Sequence, residues 1–302
     1  MVNMLTGVNM SFITYLINGI SLGSVYAMIA LGYTMVYGIA KMLNFAHGDV
    51  IMVGGFIIFT LMSSLGLSPV LAVLIAIVLC TVLGVTIERV AYKPLRKAPS
   101  LAVLITAIGV SYLLQNLALL IFGAGSKSFT SVIPVPAISL AGGRIPISGE
   151  TLVTIPVCII IMIALTIFIK KSKTGRAMVA VSEDKEAAVL MGVNVNKTIA
   201  ITFAIGSALA AIASALMFST YTNLSSTSGA MPGIKAFIAA VFGGIGSIPG
   251  AMIGGILLGI IEILSKAYIS TQLGDAIVFL VLIIVLLVKP TGILGKKIQE
   301  KV

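Results

Sequence analysis

The chain has 302 residues, 59% hydrophobic and only 9% charged, with a mean hydropathy of +1.19 and a formal net charge of +10. So little charge over such a length excludes an ordinary soluble globule, and apolar runs of 18 or more residues mark membrane spans. The basic excess does not indicate nucleic acid: fourteen of the nineteen Lys and Arg fall in three short segments, Arg89, Lys93, Arg96 and Lys97, then Lys170, Lys171, Lys173, Arg176, Lys185 and Lys197, then Lys289, Lys296, Lys297 and Lys301.

Basic clusters between spans mark the cytoplasmic side and rest on anionic lipid. In chain order, apolar runs predict spans at 12–38, 48–64, 69–88, 101–122, 151–169, 198–220 and 274–288, with an irregular segment at 234–266. The expected fold is all-α: a polytopic transmembrane bundle of about eight membrane segments, one broken or re-entrant. Residues 1–302 read as a single transmembrane domain with a cytoplasmic loop at 170–197. The first basic residue is Lys41, so the leading run lacks the charged start of a cleavable signal peptide and reads as a retained span with its N-terminal side outward. Gly19 with Gly23, and Gly255 with Gly259, have the four-residue spacing of closely packed helices. Cys80 and Cys158 lie inside apolar runs and read as core or lipid-facing residues, with no disulfide or metal implied.

The irregular segment carries GGIGSIPG at 243–250. Gly243, Gly244, Gly246 and Gly250 around Pro249 predict a helix break, and Gly254 continues the packing ridge. A single crossing here would put the basic tail outside. A segment that enters from outside, turns within the membrane and returns keeps the tail inside. Broken backbone at that depth must line a path or a helix interface. An earlier echo exists: Asn44, Gly48 and Asp49 open a run that reaches Gly54-Gly55, as Pro232, Gly233 and Lys235 open one that reaches Gly243-Gly244. That is the trace expected of two inverted halves.

Ionisable groups in apolar surroundings need partners or water, and His47, Asp49, Lys235, Glu262 and Lys266 are such groups. Glu262 and Lys266 are spaced to pair on one helix face. Asn44, His47, Asp49 and Lys235 are candidates for the polar lining of a translocation path. Interfacial anchoring or a salt bridge to a partner subunit competes for the same residues, and His47 could equally be a structural hydrogen-bond donor. GVNVNKT at 192–198 and GAGSKS at 123–128 lack the glycine before lysine that a phosphate loop requires. One histidine and no Cys/His cluster give no basis for a catalytic triad or a metal site, so no enzyme activity is expected.

The most informative stretch is KKSKTGRAMVAVSEDKEAAVLMGVNVNK at 170–197. Ser182 is placed to cap a helix, Glu183 and Asp184 suit its positive end, and Gly192 suits a left-handed exit, predicting a helix over 182–191. Small Ala187 and Ala188 would let another surface approach, with Val189, Leu190 and Met191 as apolar contacts. The residues alone leave two readings open: a helix that docks a soluble partner, or one that lies on lipid headgroups.

Glu186-Ala187-Ala188 followed by Gly192 resembles the cytoplasmic EAA loop of ABC-importer permeases. LNFAHGDVIMVGGF at 43–56, IKAFIAAVFGGIGSIPGAMIGG at 234–255 and KPTGILGK at 289–296 are similar to branched-chain amino acid permeases of the LivH type. The resemblance implies a permease subunit of an ATP-driven importer for leucine, isoleucine and valine, multi-pass in a prokaryotic inner membrane. It implies that Glu186, Ala187, Ala188 and Gly192 seat in a groove of an ATPase subunit. It also implies a second homologous permease, two ATPases and an extracytoplasmic amino acid-binding protein as partners. Membrane lipid surrounds the chain, which would carry no cofactor, with ATP and Mg held by the partner subunits. Val179 stands where relatives often carry a basic residue. A urea or short-amide permease of the same family, or a proton-driven secondary carrier, remain alternatives.

Overall fold

A computed structural model describes residues 2–96, 98–140 and 145–295; Lys97, Lys296, Lys297 and Lys301 of the basic clusters lie outside the described residues. The helices are α1 (Val2–Ala40), α2 (His47–Ser63), α3 (Pro69–Ile87), α4 (Ser100–Phe122), α5 (Gly149–Lys171), α6 (Lys173–Glu183), α7 (Lys185–Leu190), α8 (Val195–Thr220), α9 (Ala230–Gly243), α10 (Ile248–Tyr268) and α11 (Gly274–Val288). A π turn at Glu88–Tyr92 and a 3-10 turn at Lys93–Leu95 prolong α3. Two small antiparallel pairs complete the chain: β1 (Lys127–Ser128) with β4 (Asn223–Leu224), and β2 (Ile138–Leu140) with β3 (Ile145–Ile147).

The all-α polytopic expectation holds. Six helices, α1, α3, α4, α5, α8 and α10, are long and apolar enough to cross a membrane, and α2, α9 and α11 are shorter apolar helices. Local chemistry sets several ends. Ser148, Asn194 and Ser247 leave the helical region, and their side chains accept from the amides of Thr151, Lys197 and Gly250, starting α5, α8 and α10. Pro69 stands in the first turn of α3, where its missing N–H costs nothing.

The core is built on α1, α8 and α10, while α3, α4 and α5 turn most of their apolar side chains outward, among them Val70, Leu120 and Ile160. Outward apolar faces suit lipid. The ridges at Gly19/Gly23 and Gly255/Gly259 do pack, and they pack on each other. A Cβ on Gly259 would lie 2.2 Å from the Gly23 nitrogen, and one on Gly23 would lie 2.6 Å from the Ile256 Cα. Residue 19 therefore faces 260 and residue 38 faces 246, so α1 and α10 run antiparallel with backbones in contact. Cys80 and Cys158 are both fully buried in the core.

The helix break falls within the expected stretch but is narrower, and it lies at an end of the bundle. It spans 244–247, with Gly244 and Gly246 at φ of 105° and 92°, and Pro249 opens α10 instead of interrupting it. Gly250 and Gly254 are inside α10 and pack on Gly243 and Ala239 of α9. The turn sits beside Gly38, two residues from the end of α1, and the C-terminal segment closes over it: Ile293 and Leu294 donate to the carbonyls of Phe242 and Gly243, both at 2.9 Å. The turn is thus at one end of the bundle and not at mid-depth. Glycines fit because two antiparallel helices and the tail converge on it.

The chain turns back into the bundle at two other places. After α1 ends, residues 41–46 run back without helix to the buried start of α2; after α8 ends, residues 221–229 lead to the start of α9. The 14 residues of α9 span about 21 Å, short of the roughly 30 Å hydrocarbon layer. The two helix starts meet: a Cβ on Gly48 would lie 2.4 Å from the Gly229 carbonyl oxygen and 3.0 Å from the Gly233 Cα. From this junction α9 runs to the end bearing Gly244, whereas α2 runs to the opposite end and turns into α3. The echo between 44–55 and 232–244 corresponds to this opposed pair of helix starts.

Candidate sites for coupling and translocation

At the Gly38 end of the bundle the chain leaves α5 through a tight corner. Ser172 accepts from the Gly175 amide at 2.8 Å, and a Cβ on Gly175 would lie 2.4 Å from the Ile169 Cα. Helix α6 then lies against the bundle through buried Met178 and Val181. The cap of the following helix is Asp184, not Ser182. Asp184 leaves the helical region, and its Oδ1 accepts from the Glu186 and Ala187 amides at 2.9 and 3.0 Å. Ser182 is inside α6, where its hydroxyl donates back to the Val179 carbonyl at 2.7 Å. The predicted helix over 182–191 is therefore split: an amphipathic run over 173–183 already satisfies Ser182, and the Asp184 carboxylate two residues on starts a second, shorter helix.

Gly192 ends α7 as expected. Its φ is +80°, its amide donates to Val189, and the Val193 amide donates to Ala188, both at 2.9 Å. Glu186 and Ala187 are exposed, and Val189, Leu190 and Met191 are 58%, 88% and 83% exposed. Ala188 is buried against the bundle, so it anchors α7 and offers nothing to an incoming surface. On the inner side, Lys185 donates through Nζ to the Ala40 carbonyl, the last residue of α1, at 3.0 Å. Burial, with Arg96 and Lys41 nearby, holds the Lys185 ammonium below the usual lysine value.

The four path candidates fall into two groups. Asn44, His47 and Asp49 surround the start of α2 and are all buried. Asn44 Oδ1 accepts from the Tyr92 hydroxyl at 2.9 Å, and Asp49 Oδ1 accepts from Gln115 Nε2 at 2.9 Å. Asp49 has no ion-pair partner among the described residues. The His47 ring lies edge-on to Tyr33 with centroids 4.9 Å apart, and its Nε2 abuts Gly32 and has no hydrogen-bond partner among the described residues.

Lys235 belongs to a separate charge cluster. Its Nζ is 2.8 Å from Glu262 Oε1 and 2.7 Å from Asp275 Oδ1; Lys266 Nζ is 2.5 Å from Glu262 and 3.8 Å from Asp275; the Tyr26 hydroxyl donates to Glu262 at 2.9 Å. The predicted Glu262–Lys266 pair is thus half of a balanced quartet joining α9, α10 and α11. Glu262 is 1% exposed and the Asp275 side chain 43%. Neutralising Glu262 is expected to cost about 3–5 kcal/mol, because it removes the buried carboxylate shared by both lysines and leaves them only the half-exposed Asp275, while neutralising Asp275 should cost under about 1 kcal/mol. Thermal unfolding of Glu262→Gln and Asp275→Asn in detergent measures this, and equal midpoints would contradict it.

Asp275, Glu88 and Gln115 were not singled out in the sequence, although each is a polar group at or inside an apolar run. Glu88 is buried and paired with Arg96, whose guanidinium also reaches Asn196 at the start of α8. Glu88 stands directly before Arg89 at the edge of a basic cluster, so the sequence alone does not mark it as buried.

Residues 15–286 match the family described as "Branched-chain amino acid transport system / permease component". The chain is 46% identical over 301 residues to the high-affinity branched-chain amino acid transport system permease protein LivH of Escherichia coli K12, covering 96% of this chain and 98% of that one. It is 45% identical over 302 residues to the corresponding protein BraD of Pseudomonas aeruginosa, with the same two shares. A probable LivH of Methanocaldococcus jannaschii is 29% identical over 282 residues, 89% of this chain and 88% of that one.

Proposed function

Because the chain belongs to the branched-chain amino acid permease family of ABC transporters, we propose that it imports leucine, isoleucine and valine across a prokaryotic inner membrane, with ATP hydrolysed on separate subunits. The protein is a transport subunit and not an enzyme. Two ATPases bind ATP and Mg, a second homologous permease completes the path, and an extracytoplasmic binding protein delivers the amino acid.

The observation that carries this reading is the form of α7. It is a six-residue helix, capped at its start by Asp184, closed by Gly192 and anchored by Ala188, and it holds Leu190 and Met191 outward beside Glu186. A connector lying on lipid has no need of two fixed ends, whereas a groove in a partner needs a rigid projection. Closure of the ATPases moves α7, and the bundle converts that motion into alternating access at the junction of α2 and α9. Asn44, His47 and Asp49 stand at that junction to meet the polar ends of a zwitterion as it passes, and Lys235 stabilises α9 through its quartet. The Gly48–Gly229 contact is the closed point that must part.

Reconstitution with both ATPases, the partner permease and the binding protein tests the substrate class. ATP-dependent uptake of labelled leucine, isoleucine and valine is expected, with urea and acetamide excluded. Uptake of urea or acetamide in their place would assign the other substrate class, and uptake without ATP would assign a secondary carrier.

A further inference from the structure

We infer that Lys185 is a positioning residue for coupling, a strut through which movement of α7 reaches the junction of the two half-helices. The inference rests on the reading of α7 as the helix that meets the ATPase. Beyond buried Ala188 and its junction with α6 at Asp184, helix α7 has two further routes into the bundle. One is covalent: residues 191–194 lead to α8, which Asn194 caps. The other is the Lys185 contact with the Ala40 carbonyl at 3.0 Å.

The second route ends at an element suited to move. Ala40 closes α1, and an ammonium on a terminal carbonyl is favoured by the helix dipole. The next residue, Lys41, has φ of +57°, the one non-glycine residue with positive φ among those described. Such a conformation costs about 1–2 kcal/mol outside glycine and persists only where neighbours impose it. From Lys41 the six non-helical residues 41–46 run straight to the buried start of α2, so displacement of Ala40 is delivered to Gly48 and its contact with Gly229.

The far side of that loop is held still. Tyr92 donates to Asn44, and its helical extension is tied by Arg96 to Glu88 and to Asn196 of α8. A loop pinned at Asn44 and pulled at Ala40 turns a shift of α7 into rotation of the α2 start. Lys41 and Arg96 add like charge around Lys185.

The test uses the complete transporter in proteoliposomes. Lys185→Met is expected to retain bound ATPases but to lower amino acid uptake per ATP hydrolysed by about tenfold, the equilibrium equivalent of one charge-assisted hydrogen bond. Lys185→Arg should restore most of the ratio. A merely structural role would lower ATPase co-purification and uptake together, leaving the ratio unchanged, and that result or a wild-type ratio in Lys185→Met overturns the inference. Should Lys185→Met fail to accumulate, Lys41→Cys with Ala187→Cys, which keeps Lys185 and uses two exposed positions, in a chain with Cys80 and Cys158 replaced by alanine, decides the matter. Cross-linking by a short bifunctional thiol reagent must then differ between nucleotide-free and ATP-trapped complexes, and equal yields overturn the proposal. Glu186→Lys run in parallel separates the premises: if it leaves uptake and ATPase binding intact, the docking reading itself falls. If it uncouples while Lys185→Met does not, the strut alone falls.

Discussion

Leucine at Gly259 is expected to remove the protein from the membrane fraction, or to leave it aggregated in detergent, while leucine at Gly109 leaves yield and dispersity unchanged. Both are glycines within apolar helices, so composition and hydropathy cannot separate them. A Cβ at 259 would lie 2.2 Å from the nitrogen and 2.3 Å from the Cα of Gly23, whereas one at 109 meets nothing within 4 Å. Overpacking costs about 1–3 kcal/mol where a side chain can yield, and here the neighbour is backbone on a helix that is itself central to the core, so the cost should exceed that range. Size-exclusion profiles and protease resistance of the two variants measure it. A Gly259→Leu protein with wild-type yield and profile would show that α1 and α10 are not in backbone contact.

Helix placement was legible because lipid imposes a simple code: long uncharged runs must be helical, and basic clusters mark one side. The ridge at Gly19 and Gly23 and the ridge at Gly255 and Gly259 were each visible, but spacing on one helix does not name its partner. Their mutual contact is a tertiary fact. The break at 244–247 was legible as chemistry and misplaced in depth, since glycine density marks a turn without saying whether tail residues such as Ile293 and Leu294 cover it.

The junction of α2 and α9 was foreshadowed by the parallel between Gly48 and Gly233, for glycine is what lets two backbone starts touch. The charge quartet was half visible. An i,i+4 pair can be read from Glu262 and Lys266, but Lys235 and Asp275 lie 27 and 13 residues from Glu262 and arrive through the fold. In the coupling loop, Gly192 was correct because a left-handed exit has a strong residue preference. Ser182 and Asp184 are both competent caps, and only the docking of α6 through Met178 and Val181 decides between them.

The account rests on α7 as the surface through which ATP hydrolysis drives this chain, and Glu186→Lys addresses it directly. Glu186 is exposed in the first turn of α7, where negative charge suits the helix dipole; in the proposed docking an apposed ATPase surface accepts it. Reversing that charge sets like against like in a partly desolvated contact, a penalty of several kcal/mol that lowers association by roughly a hundredfold or more. The measurement is membrane level, ATPase co-purification and ATP-driven leucine uptake in one preparation. The predicted result is a normal membrane level with ATPase association and uptake both lost. Normal association and uptake in Glu186→Lys, with the added lysine merely tightening attachment to anionic lipid, would contradict the account.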